Sequence, residues 1–468
     1  QLDPTSINPT VEPFQHLTIQ GKYKKGITSI SGRHYIQNQN SGFSGIKNQI
    51  QESNLHGILD FKEKNKLKST LEWYSTYFHS SEVLNEVEGN LEFRQMLHRP
   101  EWRVNYEVTE GGTITGGIGG NWERVSRIDF IETPDFFSNY IFLQYDKKEK
   151  SGISYITGIR WDRHSEYSSQ ISPKSSILIP VSPELSLKSS MGMGFKAPDF
   201  RQLYFNFLNS TQGYSVLGYN VLRNSWNSLN LSALLLDIDA FKLPLRPERS
   251  FNLNLGGEWT PGDEVGMSLN FFYNKINDLI DTRLVGRREN GQSVFSYQNI
   301  SRVITGGVEW NGRIKIHKNL RIQAGYQYLL TADMEAIKNF REGQVFARLT
   351  PVSPAFRLSL SDYQGLYNRS RHTANLRLFG EIPRGWKWNS RVMYRSKFGL
   401  TDTNGNGFLD SYDSFAAGHF IWDSSIMKAL GKKCEISLGA ENLLNYRDFL
   451  NLPQLPGRIF FGKIIYSL

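Results

Sequence analysis

"FNLNLGGEW", residues 251–259, alternates along its whole length. Phe251, Leu253, Leu255 and Trp259 fall on one side of an extended chain, and Asn252, Asn254 and Glu258 on the other. Successive side chains of a strand point to opposite faces, so this segment has one apolar and one polar face. The pattern recurs in both directions from here. In "RIQAGYQY" (321–328), Ile322, Ala324, Tyr326 and Tyr328 oppose Gln323, Gly325 and Gln327. In "ANLRLFGEI" (374–382), Leu376, Leu378 and Ile382 oppose Asn375, Arg377 and Glu381. In "KWNSRVMYRS" (387–396), Trp388, Val392 and Tyr394 oppose Asn389, Arg391 and Arg395. "TLEWYSTYF" (70–78) and "CEISLGAEN" (434–442) behave alike.

Composition decides what such two-faced strands border. Only 39% of the 468 residues are hydrophobic, and the mean hydropathy is −0.44. No stretch approaches the roughly 20 apolar residues of a membrane-spanning helix. The longest apolar patch, "ALLLDIDAF" (233–241), is broken by Asp237 and Asp239. The 29 Phe, 22 Tyr, 10 Trp and 41 Gly suit strands and tight turns. The single cysteine, Cys434, excludes a disulfide framework. The net charge of +9 is scattered, with no Lys/Arg block, so no nucleic-acid partner is expected.

A soluble β-sandwich also alternates, but its strands are usually about five or six residues long, and these segments run near ten. Their polar faces carry Arg, Glu, Asn and Gln, as a water-filled lumen would. Aromatics such as Trp388, Tyr394, Tyr328 and Tyr466 gather at segment ends, in the manner of interfacial girdles. A closed barrel satisfies its backbone in its own ladder and needs no continuous apolar run. The expected fold is therefore all-β: a transmembrane antiparallel β-barrel of about 22 strands, with short turns at one end and long loops at the other. "TPGDE" (260–264), "KKEKSG" (147–152) and "HKN" (317–319) read as short turns, and 206–249 and 332–373 as long loops. Residues 1–15 read as a lead-in and 16–468 as one barrel domain. No Gly-x-Ser-x-Gly, His-Glu-x-x-His or phosphate loop occurs, so no enzyme is expected.

Six strings then fall in a family's order. "MGMGFKAPDFRQLYFNF" (191–207), "LRPERSFNLNLGGEW" (245–259), "FFYNKINDLIDT" (271–282), "NISRVITGGVEW" (299–310), "GAENLLNYRDF" (439–449) and "LPGRIFFGKIIYSL" (455–468) resemble segments of the TonB-dependent outer-membrane receptors. The resemblance spans roughly residues 150 to 468. It departs in the last residue, Leu468, where an aromatic is usual. Nothing in residues 1–15 resembles a TonB box, and from His16 onward the text reads as hairpins, so the family's plug domain is expected to be cut away or to be a separate chain. The resemblance implies a bacterial outer-membrane receptor that takes up a scarce nutrient, most readily an iron complex (siderophore or haem), with cobalamin or a passive porin-like channel as alternatives. It implies TonB as partner through the plug, outer-membrane lipid around the barrel, and a surface lipoprotein as a further partner.

Two sets of residues are candidate sites. Tyr204, Phe207, Tyr214 and Trp226 offer flat faces to a ligand, and Arg201 and Arg223 offer charge to an anionic siderophore. "TDTNGNGFLDSYD" (401–413) has the spacing of a calcium loop. Asp402, Asn404, Asn406, Asp410 and Asp413 supply side-chain oxygens at positions one, three, five, nine and twelve, Phe408 a carbonyl at seven, and Gly407 the turn at six. Three carboxylates and two amides suit a hard cation. The expected role is structural, stiffening a rim loop. The alternative is an Asn/Gly-rich turn with solvated carboxylates.

Overall fold

The computed structural model describes residues 14–40, 47–64, 66–83, 90–209, 213–226, 229, 231–235, 241–350, 352–431, 433–453 and 455–466. Residues 1–13 of the expected lead-in, and Leu468, lie outside them; the first strand begins at Phe14. The chain folds as two compact units, one built from residues 1–175, 192–250 and 277–300 and the other from 176–191, 251–276 and 301–468. Its strands form one 22-stranded sheet, with three two-stranded ribbons beside it. Three of the 22 are four-residue pieces, Asn206–Asn209, Tyr214–Leu217 and Leu231–Leu234. The other nineteen are long strands. No helix among the described residues is long and apolar enough to cross a membrane.

The first unit is a meander. Phe14–Lys25, Thr28–Asn40, Lys47–Lys64, Leu67–Val83, Asn90–Thr109, Gly112–Arg127, Asp135–Lys148 and Ser154–His164 each pair antiparallel with the next. In the second unit Leu320–Asp333, His372–Ile382, Trp386–Arg395, His419–Leu430, Cys434–Glu441 and Ile459–Tyr466 continue the same way. Turns and long connections alternate within each unit. Gly26, at φ 58°, closes a two-residue turn that a side chain would strain. Several strands exceed the expected ten residues: Asn90–Thr109 has 20 and Ser293–His317 has 25. Once a hairpin is in register, each added pair satisfies two more backbone groups, so the ladder runs on past the apolar belt.

Alternation holds in three dimensions. Leu71, Trp73, Trp102, Ile118, Ile141 and Leu143 are exposed on one face. The opposite face of the same strands carries an interlocked polar row. Glu72 takes a hydrogen bond from His56 at 3.0 Å and an ion pair from Arg103 at 3.4 Å. Arg103 also reaches Glu101 at 3.7 Å, Tyr140 donates to Glu101 at 2.8 Å, and Arg160 lies 3.7 Å over the Tyr140 ring while pairing with Asp162 at 2.7 Å.

Two of the long connections carry helices among their described residues. After the strand Leu185–Lys196, helices α1 (Phe200–Tyr204) and α2 (Tyr219–Ser225) build a buried apolar cluster with Val125, Phe130 and Phe136 before the chain re-enters the sheet at Glu248–Trp259. Within it, Tyr214–Leu217 pairs parallel to Ser293–Ser296, a local exception to the antiparallel order. In the second unit α3 (Met334–Glu342) buries Ala336 and Phe340 against Val345, Ala347 and Leu358.

Candidate functional site

Most aromatics expected to face a ligand belong to the first unit's loop cluster. Tyr204, Phe207 and Trp226 pack against its buried residues. Phe207 stacks on Phe205 with centroids 5.5 Å apart and planes 8° apart, Tyr214 meets Phe295 edge-on at 6.2 Å, and Trp226 lies 6.1 Å from Phe241. The Tyr204 hydroxyl donates to Glu166 at 3.0 Å, and burial, with the Glu166 charge behind it, pushes its ionisation well above the ordinary phenol range. Arg201 is exposed and lies 4.8 Å over the Phe205 ring, and Arg223 is exposed in the last turn of α2. The cluster thus brings all four aromatics and both arginines into one folded loop, with ring faces largely spent on one another.

The calcium-like loop is closed by its own side chains. Asp402 accepts from the backbone N–H of Gly405 at 2.7 Å and of Gly407 at 2.6 Å, both glycines having positive φ. Asn404 accepts from Asn406 N–H, and Asn406 from Phe408 N–H. Asp413 accepts from Thr403 and Asp410 N–H, each at 2.9 Å. Asp410 is fully buried and takes the side-chain amides of Asn404 and Asn406 at 2.9 and 2.7 Å. Burial above all, then the Asp410 and Asp402 charges, raises the Asp413 carboxyl above the usual carboxylate range, against the N–H bonds it accepts. The Tyr367 hydroxyl is buried without a partner among the described residues, and its ionisation is raised by burial and then by the same three aspartates. Among the described residues no three Asp, Glu, His or Cys side chains converge as a ready-made metal site. The loop rests on the α3 connection: Phe408 lies 6.1 Å from Phe340, Asn406 donates to the Phe346 carbonyl, and Leu409–Asp410 pairs with Tyr363–Gly365.

A hollow lies elsewhere, on the polar wall of the second unit. It encloses about 560 Å³ between Glu309, Gln327, Thr373, Asn375, Arg395 and His419. The register sets Glu309 opposite Gln327, Gln327 opposite Thr373, Thr373 opposite Arg395 and Arg395 opposite His419, one polar row across five strands. Gln327 donates to Glu309 at 2.8 Å, and Arg395 is held by the Ser370 hydroxyl at 2.8 Å and by the ring of Phe398. His419 stacks on Tyr446 at 4.7 Å. Gly325 opens the floor, since a Cβ there would stand 2.6 Å from the Asn375 amide. The hollow can hold a polar solute through amides, one carboxylate and one guanidinium. None of its residues was singled out from the sequence, because the only signal is membership of a polar face.

The family model for "TonB dependent receptor-like, beta-barrel" matches residues 9–443. The chain belongs to that family. Its fold is the family's barrel, and its place is the bacterial outer membrane. Among curated proteins, similar ones include the ferric enterobactin receptor of Pseudomonas aeruginosa, 24% identical over 375 residues, covering 76% of this chain and 45% of that protein. The vitamin B12 transporter BtuB of Vibrio cholerae is 25% identical over 279 residues, covering 55% of this chain and 39% of that one. The chain thus spans less than half the length of these receptors. Among solved structures, the siderophore receptor PirA from Acinetobacter baumannii superposes with a TM-score of 0.69 at 15% identity, over 97% of this chain and 71% of that one.

Proposed function

We propose that this chain is the barrel of a TonB-dependent receptor that binds a ferric siderophore at the cell surface and passes it inward. The observation that carries the reading is the strand-lined hollow on the wall of the second unit, in a family of transport receptors whose similar members include a ferric enterobactin receptor. The mechanism is binding and gated release with no covalent chemistry: Gln327, Thr373, Asn375 and Arg395 offer hydrogen bonds to a polar ligand, and motion of a plug, driven by TonB, opens the way. A surface lipoprotein that captures ligand first is a further partner in this reading. Similarity to the vitamin B12 transporter supports cobalamin as the second reading, and haem and passive permeation rank after it.

The test is binding by the full-length protein in detergent, read by quenching of its tryptophan fluorescence on titration with ferric siderophores, haem and cyanocobalamin. Saturable quenching by a ferric siderophore, weakened by Arg395→Gln, supports the reading. Saturation by cyanocobalamin or haem alone, or by none, overturns it.

The 401–413 loop is proposed as a structural calcium site. The chemistry supports this: every donor is oxygen, three aspartates share one turn, and burial first, then the Asp410 and Asp402 charges, raises the Asp413 carboxyl. The amides of Asn404 and Asn406 turn nitrogen toward Asp410, so a cation would require their oxygens in that place. The ion would supply the positive charge the turn lacks and tie it to the α3 connection.

A further inference from the structure

The 401–413 turn holds two Asn–Gly pairs in series, Asn404–Gly405 and Asn406–Gly407. Asn–Gly is the dipeptide most open to spontaneous deamidation, because glycine has no Cβ to keep its nitrogen from the neighbouring side chain. The glycine nitrogen attacks the asparagine Cγ, the new N–Cγ bond closes a succinimide ring, and the Cγ–Nδ2 bond breaks. The side-chain NH2 leaves with the proton lost from glycine, as ammonia. Water then opens the ring at either of its C–N bonds, giving aspartate or isoaspartate. No oxidant or reductant takes part.

Attack needs a glycine N–H free to lose its proton, an asparagine side chain free to turn its Cγ toward that nitrogen, and an amide nitrogen free to leave. All three are blocked at both pairs. Asp402 divides its carboxylate between the two nucleophiles: Oδ1 accepts Gly405 N–H at 2.7 Å and Oδ2 accepts Gly407 N–H at 2.6 Å. A carboxylate so placed holds the proton where it is, and its charge opposes a second anion beside it. Asn404 Oδ1 accepts Asn406 N–H at 3.1 Å, and Asn406 Oδ1 accepts Phe408 N–H at 2.9 Å, which fixes both side chains. Both leaving amides donate to Oδ2 of the fully buried Asp410, at 2.9 and 2.7 Å. The exposed pair Asn290–Gly291 lacks this arrangement. Gly291 N–H goes to the Arg288 carbonyl, Asn290 Oδ1 accepts Gln292 N–H at 3.2 Å, and the Asn290 amide nitrogen has no partner among the described residues.

We propose that Asn404 and Asn406 are latent deamidation sites, kept silent by Asp402, which occupies both nucleophiles, and by Asp410, which holds both leaving groups. Conversion of either asparagine sets a new carboxylate against Asp410 and removes a donor that Asp410 now has. At Asn406 it also removes the donation to the Phe346 carbonyl at 3.3 Å. Like charges crowded in a buried space repel, so the modification releases the turn from the α3 connection. The inference concerns the chemical ageing of one loop, and it goes beyond the uptake reading.

The test ages the full-length protein in detergent, in alkaline buffer with chelator, and reads each Asn–Gly pair by peptide mass spectrometry, as amide converted to acid and as isoaspartate. In the folded parent Asn290 is converted first, and the two loop asparagines react about tenfold or more slowly than in the same protein aged in denaturant. Asp402→Asn, close in shape but uncharged, speeds conversion at both 404 and 406 about tenfold and leaves Asn290 unchanged. Phe408→Ala, which loosens the packing on Phe340 and leaves Asp402 in place, speeds it less. Asn406→Asp, which carries the product from the start, is cleaved faster than the parent within 401–413 by added protease. Each variant is first checked for the heat-dependent gel mobility of the folded barrel. Loop asparagines converting as fast as Asn290 in the folded parent, indifference to Asp402→Asn, equal acceleration by Phe408→Ala, or unchanged cleavage of Asn406→Asp overturns the proposal. Calcium is withheld and no siderophore is added, so failure here leaves the calcium and uptake readings standing.

Discussion

Gly119 occupies a register position between Glu101 on one neighbouring strand and Tyr140 on the other. A Cβ at Gly119 would stand 2.4 Å from the Tyr140 ring, so only glycine lets the phenol cross its strand and donate to Glu101. Gly119→Ala is expected to push Tyr140 off this path at a cost of about 1–3 kcal/mol. Tyr140→Phe, which keeps the ring, should cost about 1 kcal/mol. Because both changes remove the same hydrogen bond, the double variant should be less destabilised than the sum. Denaturant unfolding in detergent micelles measures all three, and strict additivity would separate the glycine from the tyrosine. The alternation legible in the sequence lies in other strands, and this link is not visible there. "GGTITGGIGG" (111–120) has too few side chains for a period to be read, and Glu101 and Tyr140 are 39 residues apart until register joins them. The wall hollow was invisible for the same reason, since Glu309, Gln327, Thr373, Arg395 and His419 lie on five different strands.

At the scale of elements, the long strands were legible and the helices in the loops were not noticed, although α3 announces itself. Asp333 caps its start, accepting from Glu335 and Ala336 N–H, and Gly343, at φ 68°, closes its end. Both are ordinary helix signals in "DMEAIKNFREG" (333–343), overlooked because the surrounding text was read as one long loop. Asp333→Ala is expected to weaken α3 by about 1 kcal/mol. Since Phe408 packs on Phe340, amide exchange should quicken in 401–413 as well as in the helix; a change confined to α3 would show that the two segments are independent. The calcium loop adds a pH dependence. A carboxyl raised in the folded state favours folding most fully below the unfolded value, and that contribution is lost as pH rises through the folded one. Without calcium, the Asp413 shift predicts a loop better protected near pH 4 than near pH 7. Calcium requires the ionised form and should reverse the order. Limited proteolysis at both pH values, with calcium and with chelator, decides it, and chelator-independent cleavage would leave an ordinary Asn/Gly turn. The spacing of oxygens was readable in sequence; the pairing of Asn404 and Asn406 amides with Asp410 was not, because rotation about an amide's last bond leaves no trace in sequence.

For the whole molecule, the physical question is which solvent meets which face. Leu143 is 54% exposed on the apolar face of Asp135–Lys148, and its neighbour Gln144 points to the polar side, donating to Asp146 at 2.8 Å. If water bathed both faces, arginine at 143 would be tolerated as well as arginine at 144. In a bilayer the two differ, because an arginine on the lipid face near mid-depth costs about 2–4 kcal/mol, falling toward zero at the interfaces. Arginine at 144 stays in the aqueous interior beside Asp146 and should cost little. Leu143→Arg is therefore expected to lower the yield of folded, heat-modifiable protein in the outer membrane, and Gln144→Arg to leave it near that of the parent. A third variant, Leu143→Ala, removes the side chain without adding charge and isolates the cost of the cation. Equal yields for the two arginine variants would mean that hydrocarbon does not border this face, and the membrane-spanning orientation read first from "FNLNLGGEW" would fail with it. The comparison uses adjacent residues of one strand, so backbone propensity, position along the ladder and distance from the turn are nearly matched, and the difference reports on solvent alone.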